Sequence, residues 1–406
     1  MILFAPRQAD PEETRCPLTP AVVKKLVSRG VGVVIEPGLG GGALLNDEGF
    51  TAAGATLAGS AQAVDEAWAA ADAVVTVGPP TAERVGSMTR GAVLVGMVDP
   101  VVEHGVVAAA AGAGVSLMAL EFVPRISRAQ AMDVLSSQAN LAGYKAALLG
   151  ASAAPKLMPM MITAAGTLSP GRVLVIGVGV AGLQAIATAK RLGAIVEAYD
   201  VRTVTKEQAQ SLGARFVELP KQEDGAGGGE GEGGYAKEQS AEQQRRQAEL
   251  LAKHVTGADV VITTAAVFGK APPMLIPDEV VAGMKAGSVI VDMAASAAYD
   301  TGNCAATRPG QTVVTANGVT VIGTLNLPGT LPVHASTVLA NNVMALLETL
   351  LPPEEGSGET GRAVTLKIDF EDEVHQSALI THGGEILSER VRDAMALETE
   401  AVSDDG

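Results

Sequence analysis

The sequence has 406 residues, of which 47% are hydrophobic and only 3% aromatic, and its formal net charge is −16. This length exceeds what one hydrophobic core usually serves, so two domains are expected, and the negative charge argues against a nucleic-acid or anionic-membrane surface. Two isolated cysteines argue against a disulfide framework and fit a reducing compartment, and no apolar run is long enough to span a membrane.

Short apolar runs that are typical of buried strands recur in two series. The first series comprises residues 73–77, 92–98 and 115–120. The second series comprises residues 173–177, 194–200, 214–219, 259–264, 288–293 and 319–323. Because helical stretches alternate with these runs, each series predicts βαβ units and a parallel sheet. The chain therefore belongs to the α/β class, with two doubly wound domains.

Two long helices are expected near the ends of these series. Residues 127–152 predict one helix, and a second helix is predicted over roughly 334–350. On the first helix, four polar residues would share one face: Gln130, Asp133, Ser137 and Asn140. After the second helix, the strand-like run 363–369 is expected to return to the first domain.

The predicted domain boundaries follow from these elements. The first domain comprises residues 1–135 with 330–406, and the second comprises residues 136–329. Two Gly- and Glu-rich segments interrupt the pattern, and such segments bury too little apolar surface to order themselves. The segment 223–235 is expected to be a surface loop, and 352–361 is expected to be a solvated linker.

The segment 173–200, VLVIGVGVAGLQAIATAKRLGAIVEAYD, carries a dinucleotide-binding fingerprint. Gly177, Gly179 and Gly182 form a GxGxxG that follows a strand and opens a helix, where glycines allow a tight turn and close approach of a pyrophosphate. Asp200 ends the next strand and is suited to accept from a ribose 2′-OH, which favours NAD(H) over NADP(H). The alternative is a glycine-rich turn in a non-binding α/β domain. The fingerprint predicts that the second domain binds NAD(H). Taken with the two strand series, it leads us to expect two Rossmann-like domains with an NAD cleft between them.

The segment 125–138, RISRAQAMDVLSSQ, is polar but has no His, Lys or Cys, so it lacks the usual general bases. Oxidation of an alcohol or amine requires such a base, whereas direct hydride transfer between two nicotinamide rings requires only orientation at about 3–3.5 Å. Four residues are suited to hold a carboxamide: Arg125, Gln130, Asp133 and Ser136. The competing interpretation is an Arg–Asp pair that stabilises the joint between the domains.

Several motifs, taken together and in order, resemble the NAD(H)-binding component of proton-translocating nicotinamide nucleotide transhydrogenase. Besides the fingerprint, they are RISRAQAMDVLSSQANLAGYK (125–145), DVRTVTKEQAQSLGARF (200–216), GGYAKE (233–238) and TGNC (301–304). That family is related to alanine dehydrogenase, and EETRCPLTPAVVKKL (12–26) resembles the N-terminal segment that both share.

The resemblance implies roles for individual residues. Arg125, Gln130, Asp133 and Ser136 match residues that hold the dihydronicotinamide, with Gln130 facing the incoming NADP ring. The implied cofactor-binding residues are Ile126, Ser127, Arg128, Gly177, Val178, Gly179, Val180, Gly182, Asp200, Val201, Arg202, Gly234, Tyr235 and Ala266. Gly234 and Tyr235 match the family's mobile loop, which closes over the bound nucleotide. No metal site is expected.

The resemblance also implies partners. The family's component is a homodimer, and membrane-spanning transhydrogenase subunits supply the NADP(H) site and the proton channel. The chain itself, which has no membrane span, is expected to be cytoplasmic and peripheral on the inner face of the membrane, with no nucleic-acid partner. Its function is then transfer of hydride from NADH to NADP⁺ bound on a partner subunit.

Two departures from the family stand out. The 223–235 loop is more glycine-rich than the family's, which makes its closure entropically costlier. The segment AASAAYDTGNC (294–304) looks longer than its counterpart and lacks an early acidic residue.

Two other functions stay open. The first is a stand-alone, alanine dehydrogenase-like amino-acid dehydrogenase. That relative binds and protonates pyruvate with a lysine and a histidine, where this chain has Thr76 and Met97, although Arg15 remains. The second is a non-enzymatic module that responds to NAD.

Overall fold

The computed structural model describes residues 1–202, 204–218, 241–266, 269–351 and 365–404. The chain divides into two compact units. The first comprises Met1–Gln138 and Gly329–Gly406, and the second comprises Ala139–Pro328. Within the described residues, no helix is both long and apolar enough to cross a membrane.

The strands of the described residues are short and mostly buried. In chain order they are β1 (Ile2–Ala5), β2 (Gly32–Ile35), β3 (Thr56–Leu57), β4 (Ala73–Val75), β5 (Val93–Gly96), β6 (Ser116–Ala119), β7 (Met161–Thr163), β8 (Gly166–Leu168), β9 (Arg172–Ile176), β10 (Ile195–Tyr199), β11 (Arg215–Phe216), β12 (Val260–Thr263), β13 (Val289–Asp292), β14 (Thr312–Val314), β15 (Thr320–Gly323), β16 (Leu379–His382) and β17 (Glu385–Ile386).

The α-helices of the described residues alternate with these strands. They are α1 (Pro20–Ser28), α2 (Asp47–Ala52), α3 (Ala61–Ala70), α4 (Ala82–Gly86), α5 (His104–Ala113), α6 (Val134–Ala153), α7 (Val180–Arg191), α8 (Thr205–Ser211), α9 (Ala241–Gly257), α10 (Asp278–Ala282), α11 (Pro332–Leu350), α12 (Glu373–Ala378) and α13 (Glu389–Asp404).

The first unit is built on one sheet with the strand order β17-β16-β6-β5-β4-β1-β2-β3. Strands β1 to β6 run parallel, and their order from β3 is 3-2-1-4-5-6, which is the doubly wound arrangement. Strand β16 pairs antiparallel with β6, and β17 pairs antiparallel with β16. The last two strands therefore extend the sheet with residues from the C-terminal part of the chain.

The second unit repeats this order in the sheet β11-β10-β9-β12-β13-β15-β14. All neighbouring pairs are parallel except β14 with β15. Strands β7 and β8 form a separate two-stranded sheet. The predicted fold class, two Rossmann-like parallel-sheet domains, is confirmed for both units, and each of the nine predicted runs contains a strand.

Both faces of each large sheet are buried. In β1, Leu3 and Ala5 belong to one apolar cluster, whereas Phe4 between them belongs to another. In β9, Val175 and Ile176 likewise pack into different clusters. Successive side chains of a strand point to opposite faces, so helices cover the sheet on both sides. This double burial is the reason that the strands are continuous apolar runs rather than alternating patterns.

The predicted helix over 127–152 is wrong at its beginning. Ser127–Met132 forms a short 3₁₀ segment, and α6 begins only at Val134. Asp133 separates the two, with φ −70° and ψ 86°. Its carboxylate accepts from the backbone N–H of Ser136 at 2.8 Å, which is the bond of a helix N-cap. The four polar residues therefore do not share one helical face, because Ser137 and Asn140 lie in α6 whereas Gln130 and Asp133 precede it.

The predicted strand over 363–369 is wrong for the residues described there. Residues 365–369 form no strand, although Leu366 and Ile368 pack against the apolar core of the first unit. The predicted second helix is confirmed as α11. The predicted loop at 223–235 and linker at 352–361 lie outside the described residues.

Candidate nucleotide-binding site

The carboxyl ends of β9 and β12 lie side by side in the second sheet. In the order 3-2-1-4, these strands occupy positions 1 and 4, where the direction of winding reverses. Open parallel sheets bind ligands outside the carboxyl ends of strands at such a switch point. Gly177 follows β9 there, and Thr264 follows β12.

The turn after β9 requires glycine at two positions. Gly177 has φ +93°, and a Cβ on it would lie 2.4 Å from Thr264 Oγ1. The Thr264 hydroxyl donates to the Gly177 carbonyl oxygen at 3.0 Å, which joins this turn to the loop after β12. A Cβ on Gly182 would lie 1.9 Å from the same Gly177 oxygen, so the first turn of α7 packs directly on the glycine turn.

The N-terminus of α7 is suited to an anion. Gly179 is its N-cap residue, with no side-chain cap, and Val180 is the first helical residue. A Cβ on Gly179 would meet nothing within 4 Å, so a side chain there would occupy open space. Backbone N–H groups at an uncapped helix start, with a free approach, are the usual elements of a pyrophosphate site.

Asp200 lies at the end of β10 and is already fully hydrogen-bonded. Its Oδ2 accepts from the backbone N–H of Val178 at 2.7 Å and from Arg202 Nη2 at 2.9 Å. Its Oδ1 accepts from Arg202 N at 2.8 Å and Nε at 3.0 Å. A carboxylate has about four lone-pair sites, so a ribose hydroxyl must displace one of these donors. The neighbouring Val201 is exposed.

The segment from Arg125 to Ser136 combines exposed and capped polar groups. Arg125 and Gln130 are exposed, and neither makes a side-chain hydrogen bond or ion pair to the described part of the chain. Asp133 and Ser136 bond to each other, with the Ser136 hydroxyl donating at 2.6 Å in addition to its backbone N–H. The structure therefore brings Asp133 and Ser136 together and leaves Arg125 and Gln130 available to a ligand.

The neighbouring residues Ile126, Ser127 and Arg128 have different environments. Ile126 packs against the core of the first unit, and Ser127 is exposed. Arg128 forms a two-pronged ion pair with Asp372, at 3.0 and 2.6 Å. The Arg128 guanidinium is the main reason that the pKa of the Asp372 carboxyl is lowered to about 2. Asp372 also caps α12, so Arg128 fastens its segment to the C-terminal part of the chain.

Asn342 is a buried residue that the sequence prediction missed. It lies in α11, and its Nδ2 donates to the Ala131 carbonyl oxygen at 2.7 Å. Its Oδ1 accepts from the Ser137 hydroxyl at 2.7 Å. One amide thus holds both sides of the break at Asp133. The residues lie more than 200 positions apart in the sequence, so no local pattern could have indicated the contact.

The remaining predicted contacts lie in two places. Ala266 is exposed in the loop after β12, directly beyond Thr264 and Ala265. Gly234 and Tyr235 lie outside the described residues. Among the residues that are described, no group of His, Cys, Asp and Glu is arranged to hold a metal ion.

Two sequence profiles together span almost the whole chain. The profile described as "Alanine dehydrogenase/PNT, N-terminal domain" matches residues 5–142, and "Alanine dehydrogenase/PNT, C-terminal domain" matches residues 146–389. The chain belongs to the alanine dehydrogenase/PNT family. The resemblance predicted from the motifs is thereby confirmed.

Within the alanine dehydrogenase/PNT family, the chain is similar to transhydrogenase subunits along its length. It is 44% identical to an NAD(P) transhydrogenase alpha subunit of Rhodospirillum rubrum over 392 residues, which is 95% of this chain and 98% of that protein. A transhydrogenase crystal structure from Sinorhizobium meliloti superposes with a TM-score of 0.78 at 36% identity, covering 96% of this chain and 99% of that one. An alanine dehydrogenase of Mycobacterium tuberculosis is 29% identical over 395 residues, 95% of this chain and 94% of that protein.

Two residues that the sequence analysis compared with the dehydrogenase's substrate site, Thr76 and Arg15, lie in the first unit. Thr76 is buried, and its hydroxyl has no hydrogen-bond partner among the described residues. Arg15 is not an exposed charge: its guanidinium donates to Glu13 at 2.9 and 2.7 Å and to Gln138 at 3.0 Å. Both charged side chains are nearly buried, at 12% and 8% exposure. Arg15 is therefore committed to an internal ion pair.

The segment 294–304 folds back on itself in this family member. The backbones of Ser296 and Thr301 form a pair of hydrogen bonds, and Asp300 between them has φ +45°. The residues from 296 to 301 thus form a closed turn. Asn303 and Cys304 follow this turn and are both buried.

Proposed function

We propose that the chain is the NAD(H)-binding subunit of a proton-translocating nicotinamide nucleotide transhydrogenase. Hydride then passes directly between NADH on this chain and NADP⁺ on a partner subunit. The observation that carries this proposal is the similarity to a transhydrogenase alpha subunit along 95% of the chain. The family's oxidoreductase character and the fingerprint at the β9–β12 switch point are consistent with it.

The second unit provides groups that fit the dinucleotide. The uncapped N-terminus of α7, at Gly179 and Val180, offers backbone N–H groups to the pyrophosphate. Asp200 accepts from the adenosine ribose after Arg202 releases some of its contacts. In this proposal Val178, Val201 and Ala266 line the nucleotide.

The segment 125–136 orients the nicotinamide. Arg125 and Gln130 have unused donors that suit the oxygen of a carboxamide, and Asp133 and Ser136 are fixed by the hydrogen bonds between them. Ring-to-ring hydride transfer creates no proton at the reacting carbons, so these residues act by orientation and need no general base. Gln130 faces the second ring.

The proposed assembly combines this chain with membrane-spanning subunits. This chain forms a homodimer, and membrane-spanning subunits carry the NADP(H) site and the proton channel. The chain is then held at the cytoplasmic face of the inner membrane by those subunits. The exposed apolar hairpin β7–β8, with Met161, Ile162 and Leu168 outward, supports an association of two copies.

A stand-alone amino-acid dehydrogenase is the second candidate. Its reaction needs a group that protonates the substrate, and Thr76 has no titratable side chain. Arg15 is bound to Glu13 and Gln138, so it is not a free cation for a substrate carboxylate. Both observations favour the transhydrogenase.

The deciding experiment is reconstitution. The purified chain is mixed with an NADP(H)-binding domain of a transhydrogenase. Hydride transfer from NADPH to an NAD analogue, which is the acceptor, is followed by absorbance. We expect transfer that depends on both proteins. A separate assay adds pyruvate, ammonia and NADH without a partner. Turnover of pyruvate in the assay without a partner, together with no hydride transfer in the reconstituted mixture, contradicts the proposal.

The variant Arg125→Ala tests the nicotinamide assignment. We expect transfer to fall about tenfold or more while NADH affinity changes little, because orientation is lost and the remaining dinucleotide contacts are kept. Arg84→Ala is the matched control, since Arg84 pairs with Asp65 on the surface of the same unit. Loss of affinity with normal transfer per bound NADH would show that Arg125 holds another portion of the dinucleotide.

A further inference from the structure

The buried residue Asn303 holds the loop that follows β12. It is fully buried, and its Nδ2 donates to the carbonyl oxygens of Ala265 at 2.8 Å and Pro273 at 2.9 Å. Its Oδ1 accepts from the backbone N–H of Ala265 at 3.1 Å. The side-chain amide thus satisfies both backbone groups of Ala265, as a neighbouring strand would. The loop is thus fixed at Ala265, which pairs with no strand of the described residues.

Asp292 in turn fixes the backbone that carries Asn303. It is completely buried, and its carboxylate accepts from Cys304 N at 3.1 Å, the residue that follows Asn303. It also accepts from the hydroxyls of Thr263 at 2.8 Å and Thr307 at 2.6 Å. Buried charges persist where several hydrogen bonds satisfy them. Asp292 therefore ties β12, β13 and the Asn303 backbone into one rigid unit.

The strand order indicates which end of a dinucleotide this loop faces. The sheet runs β10-β9-β12, so Asp200 after β10 and Ala265 after β12 lie on opposite sides of the Gly177 turn. With the adenosine ribose at Asp200 and the pyrophosphate at the turn, the other half of the molecule extends towards β12. Thr264 already joins the loop to the turn.

We propose that Asn303 is a positioning residue for the nicotinamide half of NAD(H). It holds the loop 264–266 in the position from which the loop's backbone contacts the nicotinamide ribose. Asn303 itself does not touch the ligand. This inference rests on the proposed function, because it takes NAD(H) as the ligand of the β9–β12 switch point. It gives the TGNC motif a role: its asparagine supplies the amide that holds the loop.

The test compares two ligands. NADH has both halves, whereas ADP has only the adenosine and pyrophosphate half. Asn303→Asp keeps the size of the side chain but removes both N–H donors and sets a carboxylate against two carbonyl oxygens. We expect the dissociation constant for NADH to rise about tenfold or more and that for ADP to stay within about twofold. The reason is that only contacts to the nicotinamide half are lost, and ADP lacks that half.

Asn317→Asp is the matched control. Asn317 lies in the same unit, and its Nδ2 also donates to backbone carbonyls, those of Val281, Ala282 and Met284. These carbonyls lie at the end of α10 and not after β12. Loss of this clamp should lower the unfolding temperature without changing the ratio of NADH to ADP affinity. A residue with a merely structural role would leave the ratio of NADH to ADP affinity unchanged, so a change in that ratio distinguishes the two roles.

Equal weakening of NADH and ADP by Asn303→Asp, or no weakening of either, overturns the inference. If that variant does not fold, Asn303→Ser retains one donor without the charge, and the same ratio decides. The ratio requires no partner protein. Absence of hydride transfer in the reconstituted mixture therefore contradicts the proposed function alone, and the NADH-to-ADP ratio still supports or overturns the role of Asn303.

Discussion

Asp200, the carboxylate proposed to bind the adenosine ribose, is held in place by neighbouring groups of the chain. It accepts four hydrogen bonds, three of them from Arg202, and its side chain is only 5% exposed. Arg202 therefore occupies acceptor positions of Asp200 that the proposed ribose would use. In the proposed site the same pair would limit selectivity for NADH, because the guanidinium would offset some of the repulsion between the carboxylate and a 2′-phosphate.

We predict that Asp200→Asn weakens NADH binding by about tenfold or more, since one strong acceptor is lost and the bond to Val178 N is disturbed. Affinity for NADPH should fall less, so the preference for NADH narrows. Fluorescence titration with both nucleotides measures the two constants. Glu218→Gln is a suitable control, because Glu218 pairs with Lys206 at the surface. An unchanged preference would remove Asp200 from the ribose site.

Glu121 is a buried acid in the first unit with an incomplete set of partners. Its Oε1 accepts from the backbone N–H of Asp99, whereas Oε2 has no partner among the described residues. Asp99 has φ +41°, a strained value for a residue with a side chain. Burial raises the pKa of Glu121 to about 8, and burial, followed by the charge of Glu103, raises the pKa of Asp99.

These shifts predict that the first unit is less stable at alkaline pH. Above the ordinary pKa of a glutamate, the unfolded chain has lost the Glu121 proton, whereas the folded state keeps it. The contribution of Glu121 to stability is therefore full at acid pH and is lost as the pH rises through about 8. Glu121→Gln keeps the shape without the charge. Its unfolding temperature should vary less between about pH 6 and 9 than that of the unmodified protein.

Thermal unfolding at several pH values makes this measurement. Glu83→Gln is the control, because Glu83 is an exposed residue of α4 in the same unit. The control should retain the full pH dependence. An identical slope for the Glu121→Gln variant and the unmodified protein would mean that another group causes the decline.

At the scale of elements, α6 and α7 are in direct backbone contact in the second unit. A Cβ on Gly143 would lie 2.0 Å from the carbonyl oxygen of Ala181 and within 3.0 Å of two further backbone atoms. Backbone atoms cannot move aside as a flexible side chain can. Gly143 therefore sets the position of the first turn of α7, which is also the proposed pyrophosphate site.

We predict that Gly143→Ala destabilises the second unit by about 3 kcal/mol or more and weakens NADH binding, because α7 must move away from α6. Gly112→Ala is the matched control. Gly112 also lies inside a helix, α5, but a Cβ there would meet nothing within 4 Å, so alanine should stabilise by up to about 1 kcal/mol. Chemical denaturation measures both, and equal stability of the two variants would contradict the close contact.

The sequence predicted those elements that a pattern of neighbouring residues indicates. Strands buried on both faces, such as β9 and β13, appear as continuous apolar runs, and the fingerprint glycines have their own geometric signature. Strands β1 and β2 carry the same apolar signal and could have been predicted from it. Strands β3 and β7 are exposed along their whole length, so a pattern of buried apolar runs does not indicate them.

What the sequence could not provide depends on distant partners. The helix expected over 127–152 fails because the Asp133 side chain caps α6 and the Asn342 amide holds the break from the far end of the chain. Asn303 stood within a recognisable motif, but its partner Ala265 lies 38 residues away. Such contacts follow from the fold and have no periodicity of their own.

At the scale of the whole molecule, one apolar surface has no cover within the described residues. The hairpin β7–β8 pairs with no other described strand, and Met160, Met161, Ile162 and Leu168 are exposed on and beside it. An isolated two-stranded hairpin is marginally stable in water, and clustered apolar side chains usually mark an association surface. A second copy of the chain is the occupant that the proposed homodimer supplies.

We predict that Ile162→Asp converts the proposed homodimer into a monomer. Ile162 is 74% exposed at the centre of the hairpin, and a charge buried there at an interface would lack a partner. Val314→Asp is the control, because Val314 is 67% exposed on β14 of the same unit, outside the hairpin. Sedimentation at micromolar concentration should give a monomer for the first variant and a dimer for the control. A dimer that survives Ile162→Asp would assign the association to another surface, and the hairpin would then need a different partner.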